Sequence, residues 1–133
     1  MKVLVDTSCW IEAFRRRESF ESTVVESLIR EDVIVTSSLV IAELLRGARG
    51  DKEIRFIKEE FSEIPTIKGL DQLGIKIGQL GFKLKKGGYT IATLDLALST
   101  LAIENDLLLY SLDHHFEMIA KQSSLKLFNP LKH

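Results

Sequence analysis

Four acidic residues stand where carboxylates are either well aimed or costly. Asp6 directly follows the apolar run Val3-Leu4-Val5, and Asp113 follows the segment from Leu107 to Leu112. Side chains at the carboxyl ends of parallel strands line the crevice in which α/β proteins bind ligands. Each of these two aspartates could instead cap the helix that follows it. Glu43 sits inside the apolar stretch Leu39 to Leu45, and Arg46, three residues on, could pair with it along one helical face. Asp95 is harder to place. At 100° per residue it falls beside Ile91, Leu98 and Ala102 on an apolar stripe, and none of Ile91, Ala92, Leu98 or Ser99 is basic. An ionised carboxylate there is costly unless paired, hydrogen-bonded or bound to a metal, so its partner must be distant in sequence.

Carboxylates that converge without matching cations repel one another and raise their own pKa values, and a divalent cation removes that penalty. Oxygen ligands favour hard ions such as Mg²⁺ or Mn²⁺ over zinc. His114 and His115 follow Asp113, but a histidine pair at a helix start is more often a capping or surface feature. Cys9 is the single cysteine, which excludes an intramolecular disulfide and a thiolate metal cluster, and no histidine is locally placed to activate it as a nucleophile.

The elements that must hold these residues alternate. Val3-Leu4-Val5, Val33-Ile34-Val35 and Leu107 to Tyr110 are short apolar runs that read as strands buried on both faces. Leu125 to Phe128 reads as an edge strand, and Ile64 to Ile67 as an edge strand at best. Helices are expected after Asp6, over about Phe20 to Arg30, from Leu39 to Gly47 or Gly50, over Glu53 to Phe61, Leu70 to Lys85, Ile91 to Asn105 and His114 to Lys121. Strands alternating with helices imply parallel pairing through helical crossovers. The fold class is α/β, with a small central parallel sheet flanked by helices and the acids at the carboxyl edge of its strands.

Bulk composition sets outer limits. A chain of 133 residues, 45% hydrophobic and 28% charged, is expected to form one globular domain over 1–133 rather than a disordered segment. The longest uncharged stretch is the ten residues from Val33 to Ala42, too short for a membrane span, and Asp6 interrupts any signal-peptide apolar region. A cytoplasmic protein without membrane contact is the expectation. Eighteen basic against nineteen acidic residues give a net charge of −1, so the molecule is not a polycation, although Arg15-Arg16-Arg17, Arg46 and Arg49 cluster locally.

The same four acids carry a family resemblance. Val3-Leu4-Val5-Asp6-Thr7-Ser8 resembles the opening motif of PIN-domain nucleases, and Ala42-Glu43-Leu44-Leu45-Arg46-Gly47 resembles their second. Gly87 to Ile91 together with Asp95 to Ala102 resembles the third, and Leu109 to Phe116 the fourth, with Ser111 where threonine is frequent. All four occur in family order over the whole chain, and a compact chain of this length is similar to the VapC toxins of toxin–antitoxin pairs. The resemblance implies a PIN-like fold and Mg²⁺- or Mn²⁺-dependent cleavage of single-stranded RNA by metal-activated water. It also implies a small antitoxin partner and a homodimer.

Phosphodiester hydrolysis needs an activated water, neutralised phosphoryl oxygens and a stabilised leaving oxygen. On this reading Asp6, Asp95 and Asp113 hold the metal, and Glu43 completes the site or orients the attacking water. Thr7, Ser8 and Ser111 hold the carboxylates in place through hydroxyl hydrogen bonds. Arg15, Arg46 and Arg49 are candidates for phosphate contacts, and Tyr89 or Trp10 for base stacking, although core packing is the commoner fate of an aromatic ring. The stripe Leu73, Ile77, Leu80 and Leu84 offers either a dimer interface or a face packed on the sheet. The alternative function is a catalytically silent PIN-like module that binds RNA or protein. A receiver-type phosphoacceptor is excluded by Ser8 and by the lack of a lysine just after the strand Leu107 to Tyr110.

Overall fold

The computed structural model describes residues 1–132 and places four parallel strands in the order β2-β1-β3-β4. Strand β1 (Val3–Val5) is buried at every position, which is why it carries no polar alternation. It pairs on one side with β2 (Ile34–Val35) and on the other with β3 (Leu108–Tyr110), with Val3 opposite both Ile34 and Leu108. Strand β4 (Lys126–Leu127) closes the edge beside β3 and is exposed. The chain leaves β1 to one side and returns for β3 on the other, so the strand order reverses between β1 and β3. Such a reversal opens a crevice at the strands' carboxyl ends.

Seven α-helices flank the sheet among the described residues. Helix α1 (Thr7–Arg15) starts immediately after β1 and buries Cys9, Trp10 and Ala13. Trp10 packs against Phe61, at the end of α4 (Asp51–Phe61), with ring centroids 4.7 Å apart. Helices α2 (Phe20–Arg30) and α3 (Ser38–Arg46) begin on serine caps: Ser19 Oγ accepts from the Ser22 amide at 3.1 Å and Ser37 Oγ from the Leu39 amide at 3.2 Å. Helix α6 (Thr93–Glu104) runs through the interior and is buried continuously from Leu96 to Ala102, which accounts for its nearly unbroken apolar sequence. Helix α5 (Gly74–Lys86) packs along it, and α7 (His115–Gln122) follows β3. No helix among the described residues is long and apolar enough to cross a membrane.

Three expectations change in detail. The helix expected over Leu70 to Lys85 is two pieces, a 3₁₀ turn at Leu70–Gln72 and then α5, with Gly69 at φ +94° turning the chain ahead of them. Apolar periodicity runs across this break and conceals it. The helix expected from Ile91 begins at Thr93, because Ala92 is extended. Ile64 to Ile67 contributes only a single bridge, Thr36 to Thr66, beside β2. The expected domain end at His133 lies outside the described residues.

The apolar stripe on α5 packs inward. Leu84 is 1% exposed, and Leu73, Ile77 and Leu80 lie against the core. Of the stripe, Leu84 is covered within the chain and the other three partly so, and the apolar residues α5 turns most fully to solvent are Ile75 and Phe82, with Ile75 77% exposed. Leu84→Ala should cost about 2–5 kcal/mol in chemical denaturation, as for a large-to-small core change. Ile75→Ala should stay within about 0.5 kcal/mol. Equal effects at the two positions would contradict this packing.

Candidate active site

Burial forces the geometry of Asp6. The residue is 7% exposed, so its carboxylate needs partners. It precedes α1 as the N-cap, yet its side chain makes no capping hydrogen bond. Instead Oδ2 accepts from Ser8 Oγ at 2.9 Å and from Ser111 Oγ at 2.7 Å. Ser8 belongs to α1 and Ser111 follows β3, so these two bonds fasten the ends of β1 and β3 together. The backbone reinforces the join, with the Asp6 amide donating to the Tyr110 carbonyl at 2.8 Å. The hydroxyls work in both directions: Ser8 Oγ accepts from the Leu112 amide at 3.1 Å and Ser111 Oγ from the Asp113 amide at 2.9 Å.

Asp113 is set by its own turn. Its Oδ1 accepts from the His115 amide at 2.9 Å, an arrangement that orients the carboxylate while opening α7. Glu43 projects from α3 toward α1, where Thr7 Oγ1 donates to its Oε1 at 2.9 Å. Thr7, rather than Arg46, thus holds Glu43, and among the described residues no ion pair joins Glu43 to Arg46.

Asp95 comes from the first turn of α6. Its carboxyl is held above the ordinary aspartate range, first by burial, then by the charges of Asp113 and Asp6, opposed by His115, with Glu43 adding to the rise. Four acids drawn from β1, α3, α6 and the turn after β3 therefore act on one another. His115 completes the group. Its Nδ1 lies 3.4 Å from Asp113 Oδ1 and 3.8 Å from Asp95 Oδ2. Ligand atoms of Asp95, Asp113 and His115 all fall within 4.8 Å of one another, close enough to share one cation. His114 turns away toward Glu117, at 3.5 Å. The sequence offers only one signal for His115, its position two residues beyond Asp113 at a helix start, and its approach to Asp95 depends on how α7 meets α6.

Other candidates lie elsewhere. Arg15 and Arg49 both approach Glu53 of α4, at 3.6 and 3.4 Å, and Arg15 also reaches the Gly47 carbonyl. Trp10 is fully buried, which removes it from base stacking, whereas Tyr89 is exposed. The Cys9 thiol is pushed up to about 12 by burial and by the charge of Asp6, so it stays protonated and unreactive at neutral pH.

Such a donor set suits a hard divalent cation. Carboxylate oxygens dominate it, and burial together with the charges of Asp113 and Asp6 already raises Asp95, so a bound positive charge would relieve part of that cost. What it can do chemically is bind a cation at the mouth of a strand crevice and present it to an anionic substrate.

Comparison with known proteins finds relatives that align over nearly the whole chain. Ribonuclease VapC11 of Mycobacterium tuberculosis is 24% identical over 128 residues, covering 93% of this chain and 96% of the relative, and VapC ribonuclease Mb1587 of Mycobacterium bovis matches to the same extent. Among solved structures, VapBC-1 from nontypeable Haemophilus influenzae superposes with a TM-score of 0.78 at 19% identity, covering 98% of this chain and 99% of that one. VapBC2 from Rickettsia felis, bound to a DNA fragment from its promoter, gives 0.77 at 21%, covering 97% and 98%. At those identities the structures establish a shared fold. The PIN domain family model matches residues 3–122, all four acids included, and the chain belongs to the PIN-domain family.

Proposed function

We propose that this protein is a divalent-metal-dependent endoribonuclease that cleaves single-stranded RNA and serves as the toxin of a toxin–antitoxin pair. The observation that carries the reading is the convergence of Asp6, Glu43, Asp95 and Asp113 at the strand reversal, with Asp95 raised first by burial and then by the charges of Asp113, Asp6 and Glu43. The ribonuclease names of relatives that align over nearly their whole length support it.

Asp6, Asp95 and Asp113 would hold Mg²⁺ or Mn²⁺, with His115 beside Asp95 and Asp113. A cation bound there supplies charge neutralisation for the phosphoryl oxygens and lowers the pKa of a coordinated water. Glu43, anchored by Thr7, would complete the site or orient the attacking water and accept its proton. Ser8 and Ser111 fix the rotamer of Asp6, and the Asx turn fixes Asp113, so the carboxylates are positioned before substrate arrives. Arg46 is the candidate phosphate contact left without an ion pair among the described residues, since Arg15 and Arg49 share Glu53. Retention of all four acids, with hydrogen bonds that aim Asp6, Glu43 and Asp113, argues against a silent binding module.

The test is cleavage of a pool of single-stranded RNAs by the purified protein. Activity should require Mg²⁺ or Mn²⁺, vanish in EDTA, and fall by at least about 100-fold in Asp6→Asn. Ser111→Ala should weaken metal affinity or activity by about 10–100-fold, with Ser111→Thr restoring it. Cleavage insensitive to both EDTA and Asp6→Asn would defeat the reading.

The partner proposals rest on the solved complexes of similar fold, which carry VapBC and FitAB names. A small antitoxin is proposed to cover the acidic crevice, in a complex built on a homodimer of this chain in the cytoplasm. Co-expression with the short reading frame adjoining this gene, followed by light scattering, should return a complex holding two copies of each chain. A solitary monomer that captures no neighbour-encoded protein would remove the toxin assignment and leave the nuclease intact.

A further inference from the structure

We propose that the cavity beside Asp113 is a guanine-binding subsite, selecting the RNA base next to the phosphate that is cut. The inference rests on the nuclease reading above and adds a base preference to it. The cavity encloses about 530 Å³, inside the range of roughly 300–1,000 Å³ common for small-molecule sites. Ser111 and Asp113 form part of its wall, so the cavity adjoins the acidic site on the Asp113 side. Phe20 and Glu21, from the start of α2, and Phe128 and Pro130, from the segment after β4, form other parts.

Two features of the wall suit a nucleobase. Phe20 is 51% exposed, an aromatic ring left in water at the rim although it opens an amphipathic helix. Phe128 meets the buried Tyr110 ring edge-on at 5.3 Å, which gives a fixed aromatic surface inside. Unpaired RNA bases are bound by stacking on such rings and by hydrogen bonds to their Watson–Crick edges.

Glu21 supplies the edge contact. It is half-buried, sits in the first turn of α2, and lines the cavity together with Tyr110, on which its charge acts. Among the described residues its carboxylate has no cation and no hydrogen-bond donor as partner. Two carboxylate oxygens are matched by two parallel donors. Guanine alone among the four bases presents them, as its imino N1–H and its 2-amino group. Adenine and cytosine place an acceptor nitrogen beside the amino group, and uracil flanks its imino group with carbonyls. Glu21, Asp113 and Glu117 line the cavity, with His114 near Glu117, and this excess of acid disfavours a phosphate there while admitting a neutral base. The guanidinium of an arginine offers a similar donor pair, but a cavity of this volume between aromatic rings favours a purine.

The experiment has two arms. In the first, the full chain with Mn²⁺ cuts a random single-stranded RNA pool and the cut ends are sequenced. Guanine should dominate one fixed position next to the cut, and inosine there, which lacks the 2-amino donor, should be cut about tenfold less efficiently. Phe20→Ala and the isosteric Glu21→Gln should each flatten the guanine preference by about tenfold. Cutting with no fixed base overturns the subsite and leaves the nuclease standing. No Mn²⁺-dependent cutting at all removes the nuclease reading, and the second arm then decides. Guanosine titrated into the full chain in EDTA should shift the backbone amide resonances of Phe20, Glu21 and Phe128 more than inosine or adenosine does. Equal shifts with all three nucleosides, or shifts with N-acetylarginine amide but not with guanosine, overturn the proposal.

Discussion

Everything at the crevice depends on one buried carboxylate shared between two serine hydroxyls. Asp6 leaves β1 with its side chain almost wholly removed from water, and Ser8 and Ser111 satisfy the same oxygen from two sides of the strand reversal. A buried charge without such donors would cost several kcal/mol, so the two bonds are a condition of placing Asp6 there at all. The same serines then accept from the Leu112 and Asp113 amides, which fixes the turn that carries the second aspartate. One polar network thus sets the distance between strand ends and the direction of two carboxylates.

Around this anchor the fold assembles charge that it does not neutralise. Asp95 enters from a helix packed deep in the core, Asp113 from a turn and Glu43 from a helix tied to α1 by Thr7. His115 is the basic group recorded beside Asp95 and Asp113, and it carries a positive charge only when protonated. The nearby arginines are engaged at Glu53 or project from the far end of α3. A cation bound there would offset this repulsion by binding the folded state.

Much of this was legible in the chain because the strands are short and wholly apolar. Val3-Leu4-Val5 has no room for a surface face, and an acid directly after it must lie at the strand's carboxyl end. The isolation of Asp95 could also be read, since nothing three or four residues away can pair with it. Its actual neighbours could not, because Asp113 and His115 meet it only through the packing of α6 against α7. Glu43 misleads in the opposite sense. Arg46 lies on the same helical face, yet Thr7 from another helix takes the carboxylate, a choice that local spacing does not encode. Likewise the α5 stripe has the same periodicity whether it faces a partner or the core, and the burial of Leu84 within the chain is not encoded by that spacing. The cavity beside Asp113 escapes sequence reading altogether, being assembled from the start of α2, the end of β3 and the segment after β4.

The central claim is that the four acids form a cation site rather than four separate structural contacts, and thermal melting of the parent and Asp95→Asn, each in EDTA and in excess Mn²⁺, tests it most directly. Asparagine is nearly isosteric and removes one repelling charge. In EDTA the variant should therefore be no less stable than the parent, with a gain on the order of 1 kcal/mol after imperfect amide hydrogen bonding is offset. Mn²⁺ should raise the parent's melting temperature, because it binds the folded state, and raise the variant's far less. A variant destabilised by about 3–5 kcal/mol in both conditions, with a parent indifferent to Mn²⁺, would mean that Asp95 serves a buried ion pair and would contradict the account.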